Sequence, residues 1–196
     1  MQAVGWLLFP ALMLPVLVLV TDRTHALATT VADTLDPINR AIGEAAKWLL
    51  PVLVLSVVWT VFALSIFGMA STKLDESAIY LHATVLMLGS AAALLADAHV
   101  RVDIFHSGLG PDARARVEIC GFYLLLAPLM LIILWMSQSQ VAFSWAVLEG
   151  SADADGIRGQ FLLKTLIPAF ALLMLAQGLA IATRAALRLA GVRNGA

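Results

Sequence analysis

The sequence is poor in charge and nearly without cysteine. Asp, Glu, Lys and Arg together make up 13% of its 196 residues, about half the share usual in soluble domains. Cys120 is the one cysteine. A disulfide framework or a cysteine-based metal site within one chain is thereby excluded. The formal net charge is −1, so there is no basic surplus to hold nucleic acid. No Gly-x-Ser-x-Gly elbow, no His-Glu-x-x-His helix and no glycine-rich phosphate loop occurs. Four histidines are present, His25, His82, His99 and His106. Only His82 falls inside an apolar run, and a bis-histidine haem needs a second ligand at similar depth. The reading is therefore non-enzymatic, with no cofactor and no metal.

What remains is apolar. Hydrophobic residues make up 61% of the chain and the mean hydropathy is +0.93. A soluble fold of this size cannot bury that much apolar surface, so lipid must be the solvent for much of it. Runs free of acidic and basic residues cover 1–21, 48–72, 77–96, 119–148 and 165–183. Each approaches or exceeds the length needed to cross a bilayer as a helix, about 20 residues. They are too long for membrane β-strands. The fold class read here is an all-α integral membrane protein. It has four core transmembrane helices, centred on 48–67, 78–96, 119–140 and 165–183, and an extra N-terminal one over 1–21.

The run 119–148 exceeds one perpendicular span, so its helix either tilts or projects beyond the bilayer, and Pro128 is placed to kink it. Its Ser137-Gln138-Ser139-Gln140 stretch marks either an exit or a helix–helix contact. The first run has two readings. Ala26-Leu27-Ala28 resembles a signal cleavage site, but nothing basic precedes Trp6. Basic residues decide in favour of a retained span. Arg23, Arg40, Lys47, Arg101, Arg114, Arg116, Arg184, Arg188 and Arg193 fall on one side of a five-span chain, and Lys73, Arg158 and Lys164 on the other. The larger group belongs in the cytoplasm. The N-terminus is then periplasmic and the C-terminus cytoplasmic.

Four regions follow: the additional span 1–21, a cytoplasmic linker 22–47, a four-helix membrane domain 48–185, and a cytoplasmic tail 186–196. Within the linker, Asp36 and Pro37 read as cap and first residue of a helix. Ile38, Ala41, Ile42, Ala45 and Ala46 would then form its apolar face, opposite Asn39, Arg40, Gly43 and Glu44. Such a helix either lies on the cytoplasmic surface or extends the second span. Trp6, Trp48, Trp145 and Tyr80 sit at run ends as interfacial anchors. Trp59 and Trp135 lie mid-span and read as packing residues.

Apart from His82 the spans carry no ionisable residue, although carriers of charged solutes usually place such residues on the transport path. No inverted repeat is visible. Helices of this kind look like a scaffold rather than a conduit. The distinctive residues stand in the loops. Asp97, His99, Arg101 and Asp103 alternate with Ala98, Val100 and Val102, and Arg101 is placed to pair with either aspartate. Glu149 and Lys164 bracket the loop between the last two spans and are placed to pair across it. Ser151, Asp153 and Asp155 resemble a calcium loop only superficially, lacking its distal glutamate.

These residues resemble the small membrane subunit of tripartite ATP-independent periplasmic (TRAP) transporters, the DctQ-like family. The resemblance rests on Asp97-Ala98-His99-Val100-Arg101-Val102-Asp103, then Glu149 with Ser151 and the acidic turn to Gly156, then Lys164 with Pro168, then Gln177-Gly178. It spans about residues 40 to 185. Ala98 stands where the family more often has glycine, and the first span is an addition to a four-helix plan. The resemblance implies a subunit without a transport site. Its partners would be a large elevator-type membrane subunit, a periplasmic substrate-binding protein and membrane lipids, in a sodium-coupled importer of organic acids. Asp97, His99, Arg101, Asp103, Glu149, Ser151, Lys164, Pro168 and Gln177 would serve structure or subunit contact. Two other readings are a small autonomous carrier or channel, which would need a polar path, and the membrane anchor of a redox enzyme, which would show a haem band.

Overall fold

The computed structural model describes residues 12–96 and 109–191. In chain order the helices are α1 (12–20), α2 (His25–Lys47), α3 (Leu49–Phe67), α4 (Thr72–Leu95), α5 (Pro111–Gly121), α6 (Ala127–Ala146) and α7 (Gln160–Leu189). A single turn, Asp22–Thr24, joins α1 to α2. Four stretches are long and apolar enough to cross a membrane: His25–Phe67, Thr72–Leu95, Pro111–Ala146 and Gln160–Leu189. The all-α membrane class and the four core spans stand. Of the expected first span, 12–20 is helical, and residues 1–11 lie outside the described ones.

The long uncharged run proves to be, as far as Ala146, the C-terminal part of a 36-residue helical stretch, Pro111–Ala146. Gly110 caps it, and Pro111 takes a first-turn position, where a missing N–H costs nothing. Phe122–Leu126 is a π-turn. It directly precedes Pro128, whose ring offers no N–H to the carbonyl one turn back. The wider turn takes up that mismatch while the helix runs on. α3 ends where Gly68 turns left-handed at φ 64°, returning its N–H to the Leu64 carbonyl at 3.1 Å. That conformation disfavours any residue with a Cβ.

The linker differs from the sequence expectation. α2 begins at His25, twelve residues before Pro37, which lies inside the helix. Asp36 is therefore no cap. Pro37 forfeits one backbone bond, and side-chain bonds from Asp36 and Asn39 to α7 hold the helix through it. The inward face is also different. The buried residues are Ala28, Ala32, Asn39 and Ala46, with Leu35, Ile42 and Gly43 half-buried between them. Steps of four and three give a 3.5-residue period, the seam of a coiled-coil contact. Ile38, Ala41 and Ala45 point outward.

α7 is the hub, packing against α2, α4, α5 and α6. Its inward residues are mostly small: Ala171, Gly178, Ala180, Ala182, Ala185 and Ala186. Small residues let helix backbones approach closely, which is how helices associate where lipid removes the hydrophobic drive. Gly178 is one such point, since a Cβ there would stand 2.7 Å from Leu126 Cδ2. Gly43 is another, with a virtual Cβ 2.1 Å from that of Ala92 on α4. α1 packs against this assembly. Val18 packs with Ala28, Ala186 and Leu187, and Tyr123 donates its hydroxyl to the Leu12 carbonyl at 2.6 Å.

By contrast α3 packs chiefly on α4, and Ala63 is its one buried residue. Its large apolar side chains face outward, Trp59 among them. Trp135 on α6 is 77% exposed. Neither tryptophan packs between helices of this chain, contrary to the sequence reading. Both present their rings to whatever surrounds the bundle.

Candidate functional site

Two polar seams tie the helices together, one at each end of α7. The inner seam is carried by α2. Asp36 and Asn39, one turn apart, face the same side of that helix. Asn39 Nδ2 donates to Gln177 Oε1 at 2.7 Å, and Gln177 Nε2 donates to Asp36 Oδ1 at 3.2 Å. The other Asp36 oxygen meets the Arg184 guanidinium at 2.6 Å. Arg184 also donates to the Ala32 carbonyl at 3.2 Å and lies 3.6 Å from Asp33. Gln177 and Asn39 are fully buried, so their amides depend on each other for the bonds that solvent would otherwise supply. From Ala32 to Asn39 the partners on α7 run backward from Arg184 to Gln177, so the two helices are antiparallel.

The outer seam holds the α6–α7 loop onto the start of α4. Glu76 is its centre. One carboxylate oxygen accepts the Ser151 hydroxyl and the other accepts the Ile157 backbone N–H. Ser151 also accepts the Asp153 N–H at 3.1 Å, and its own N–H reaches the Ile157 carbonyl at 3.1 Å. Gly156 fits beneath this knot because it has no side chain. A Cβ there would lie 2.2 Å from Ser151 Oγ and 2.6 Å from Glu76 Oε1.

Beside it, Lys164 Nζ meets Glu149 Oε2 at 2.6 Å, each side chain 29% exposed. The ammonium beside it holds the Glu149 carboxyl below its ordinary value. Trp145 supports the same hairpin, donating Nε1–H to Thr165 Oγ1 at 2.9 Å and meeting Phe161 edge-on at 4.7 Å. The Lys73–Asp155 pair at 3.0 Å is well exposed and contributes little.

The structure thus brings Glu149 to Lys164, Ser151 to Glu76, and Gln177 to Asp36 and Asn39. Pro168 lies inside α7, one turn beyond Lys164. Asp97, His99, Arg101 and Asp103 lie outside the described residues. Sequence reasoning missed Glu76, Asp36, Asn39 and Arg184 as members of these seams. Asp36 and Asn39 carried one readable signal, their place on a 3.5-residue stripe with Ala32 and Ala46. Glu76 carried none, because its partners stand 75 and 81 residues away.

Among the described residues, no group of three or more His, Cys, Asp or Glu side chains could hold a metal ion. The buried polar groups of the inner seam are turned toward one another. Chemically this is an arrangement for locking helices together.

Residues 53–188 match the family described as tripartite ATP-independent periplasmic transporters, DctQ component. No curated protein and no solved structure matches the chain.

Proposed function

The chain belongs to the DctQ component family of tripartite ATP-independent periplasmic transporters, and we propose on that premise that it is the scaffold subunit of a sodium-coupled organic-acid importer. It is a multi-pass membrane component of such a transporter. In this reading it packs beside a large membrane subunit that carries the ion and substrate sites. It broadens the stationary part of that assembly and helps seat the periplasmic substrate-binding protein.

The inner seam supports this role most directly. Asp36, Asn39, Gln177 and Arg184 are the kind of side chains from which a carrier builds its path. Here they bond to one another across α2 and α7. A group bonded in that way is unavailable to a passing solute. The outer seam serves the same end, fixing the loop after α6 to the head of α4 as one stiff periplasmic edge.

Reconstitution tests the reading. Liposomes holding this chain alone should take up no organic acid. Liposomes holding it with the large subunit, supplied with loaded binding protein and a sodium gradient, should do so. Uptake by the isolated chain would refute the scaffold role. A reporter fused after Ala196 should read cytoplasmic, as the distribution of basic residues requires, and a periplasmic reading would overturn the proposed orientation.

A further inference from the structure

Three helical segments meet in an open cleft of about 180 Å³. Its apolar walls are Leu94 of α4, Phe122 and Leu126 of the π-turn, and Ile181 of α7. Turns of this kind recur at functional sites within helices. One charged residue lines the cleft, Glu118 near the end of α5. The level of the cleft is fixed by three separate helices. Leu94 comes three residues before Asp97, which ends one uncharged run. Glu118 is the last charged residue before the run 119–148. Ile181 comes three residues before Arg184, which ends the run 165–183. The cleft therefore lies where three apolar runs stop, at the boundary between hydrocarbon and headgroups. In the orientation proposed above that boundary is the cytoplasmic one.

Two residues of the lining have no explanation within the chain. Gly121 has ordinary helical backbone, φ −60° and ψ −40°, so conformation does not call for glycine. Packing does not call for it either. A Cβ at Gly121 would stand in open space, whereas at Gly178, which also lines the cleft, it would press on Leu126. Glycine inside a helix is destabilising relative to alanine. What its missing side chain does here is keep the cleft open. Glu118 is half-buried and makes no hydrogen bond or ion pair among the described residues. Ionised groups at a membrane boundary are usually paired. The nearby cations are turned elsewhere. Arg184 is held by Asp36, Arg114 donates to the Leu109 carbonyl, and Arg116, two residues from Glu118, stands on the far side of α5.

We propose that this cleft is a lipid site, holding part of one acyl chain of a phospholipid whose headgroup carries an amine. The acyl chain lies over Gly121, against Phe122, Leu126 and Ile181, and the ammonium reaches Glu118. An apolar cavity of about 150 Å³ holds a benzene-sized molecule, so the cleft takes a segment of the acyl chain rather than its whole length. A tail gains little by leaving the bilayer for an apolar wall, since lipid is as apolar as leucine. Selectivity therefore comes from Glu118, which attracts an ammonium and repels an anionic headgroup. The inference goes beyond the scaffold reading and does not depend on it. It requires that the chain span the membrane.

The test uses the full chain, purified in mild detergent and offered equal amounts of phosphatidylethanolamine and phosphatidylglycerol with the same acyl chains. Native mass spectrometry counts the lipid retained. The ethanolamine lipid should be favoured about two- to fivefold, the range for one partly exposed ion pair. Gly121→Leu places a side chain in the cleft and should remove that lipid, while helical content by circular dichroism is unchanged because leucine suits a helix. Glu118→Gln should still retain lipid but without the preference. Phosphatidylethanolamine with a photoreactive group in its acyl chain should label the segment 119–126. Equal retention of the two lipids by the unaltered chain, or preference for the glycerol lipid, would overturn the proposal. So would undiminished retention in Gly121→Leu, or labelling that misses 119–126.

Discussion

Replacing Gln177 by leucine should destabilise the bundle by about 2–4 kcal/mol. The side chain is fully buried and makes two bonds to α2, one with Asn39 and one with Asp36. An interhelical hydrogen bond in a membrane protein contributes about 0.6 kcal/mol on average and up to ~1.7. Leucine restores the packing volume but leaves the Asn39 amide, 2% exposed, without a partner. An orphaned buried donor costs about 1–3 kcal/mol. Asp36 loses less, because Arg184 still holds its other oxygen at 2.6 Å. The cost should therefore lie mainly in the Asn39–Gln177 pair. A double-mutant cycle isolates it: Gln177→Leu, Asn39→Leu and the two together, unfolded reversibly in bicelles by steric trapping. The double variant should be less damaged than the sum of the singles by about 1–2 kcal/mol. Additivity within ~0.5 kcal/mol would show that the two amides do not depend on each other, and the account of the inner seam would fail.

Three more predictions concern the points of closest approach and the outer hairpin. Gly43→Ala should weaken the α2–α4 contact by about 1–3 kcal/mol through overpacking, and Ala92→Gly should restore most of it; a thermal shift unchanged by either would contradict the close approach of the two helices at this point. Gly156→Ala should dislodge Ser151 from Glu76, raising protease sensitivity across residues 150–159 while helical content stays constant by circular dichroism. The Glu149 carboxyl is held below its ordinary value of 4.5 by Lys164. Its contribution to the hairpin is accordingly present above that pH and is lost as acid takes the pH down through the folded value. Hydrogen exchange in the 147–159 loop should quicken in that acid range, and Glu149→Gln should remove the pH dependence.

The helices were legible because lipid imposes a simple rule: a spanning segment must be apolar for about 20 residues. The uncharged stretches around α3, α4, α6 and α7 follow it, and no local preference competes. Glu149 and Lys164 could be paired on paper because they flank one short hairpin. α2 was misread because Asp36-Pro37 satisfies every local criterion for a helix start, while tertiary bonds to Gln177 and Arg184 carry the helix through the proline. Its inward face was misassigned for a related reason. Asn39 is polar, and polarity marks the outside only where the inside offers no partner. Glu76 could not be found locally, since a loop more than 70 residues later supplies its bonds.

The central place of α7 bears on how the protein is made. Ribosomes deliver α2, α4, α5 and α6 first, and the helix against which all four pack emerges after them. Until it enters the membrane, Asn39 lacks the amide that completes its bonding, and Asp36 lacks its arginine. The earlier helices therefore wait as a loose set, and arrival of the final hairpin closes the bundle in one step. A nascent chain truncated before Gln160 should accordingly be recognised by membrane quality control as unassembled, although α1 to α6 are already present.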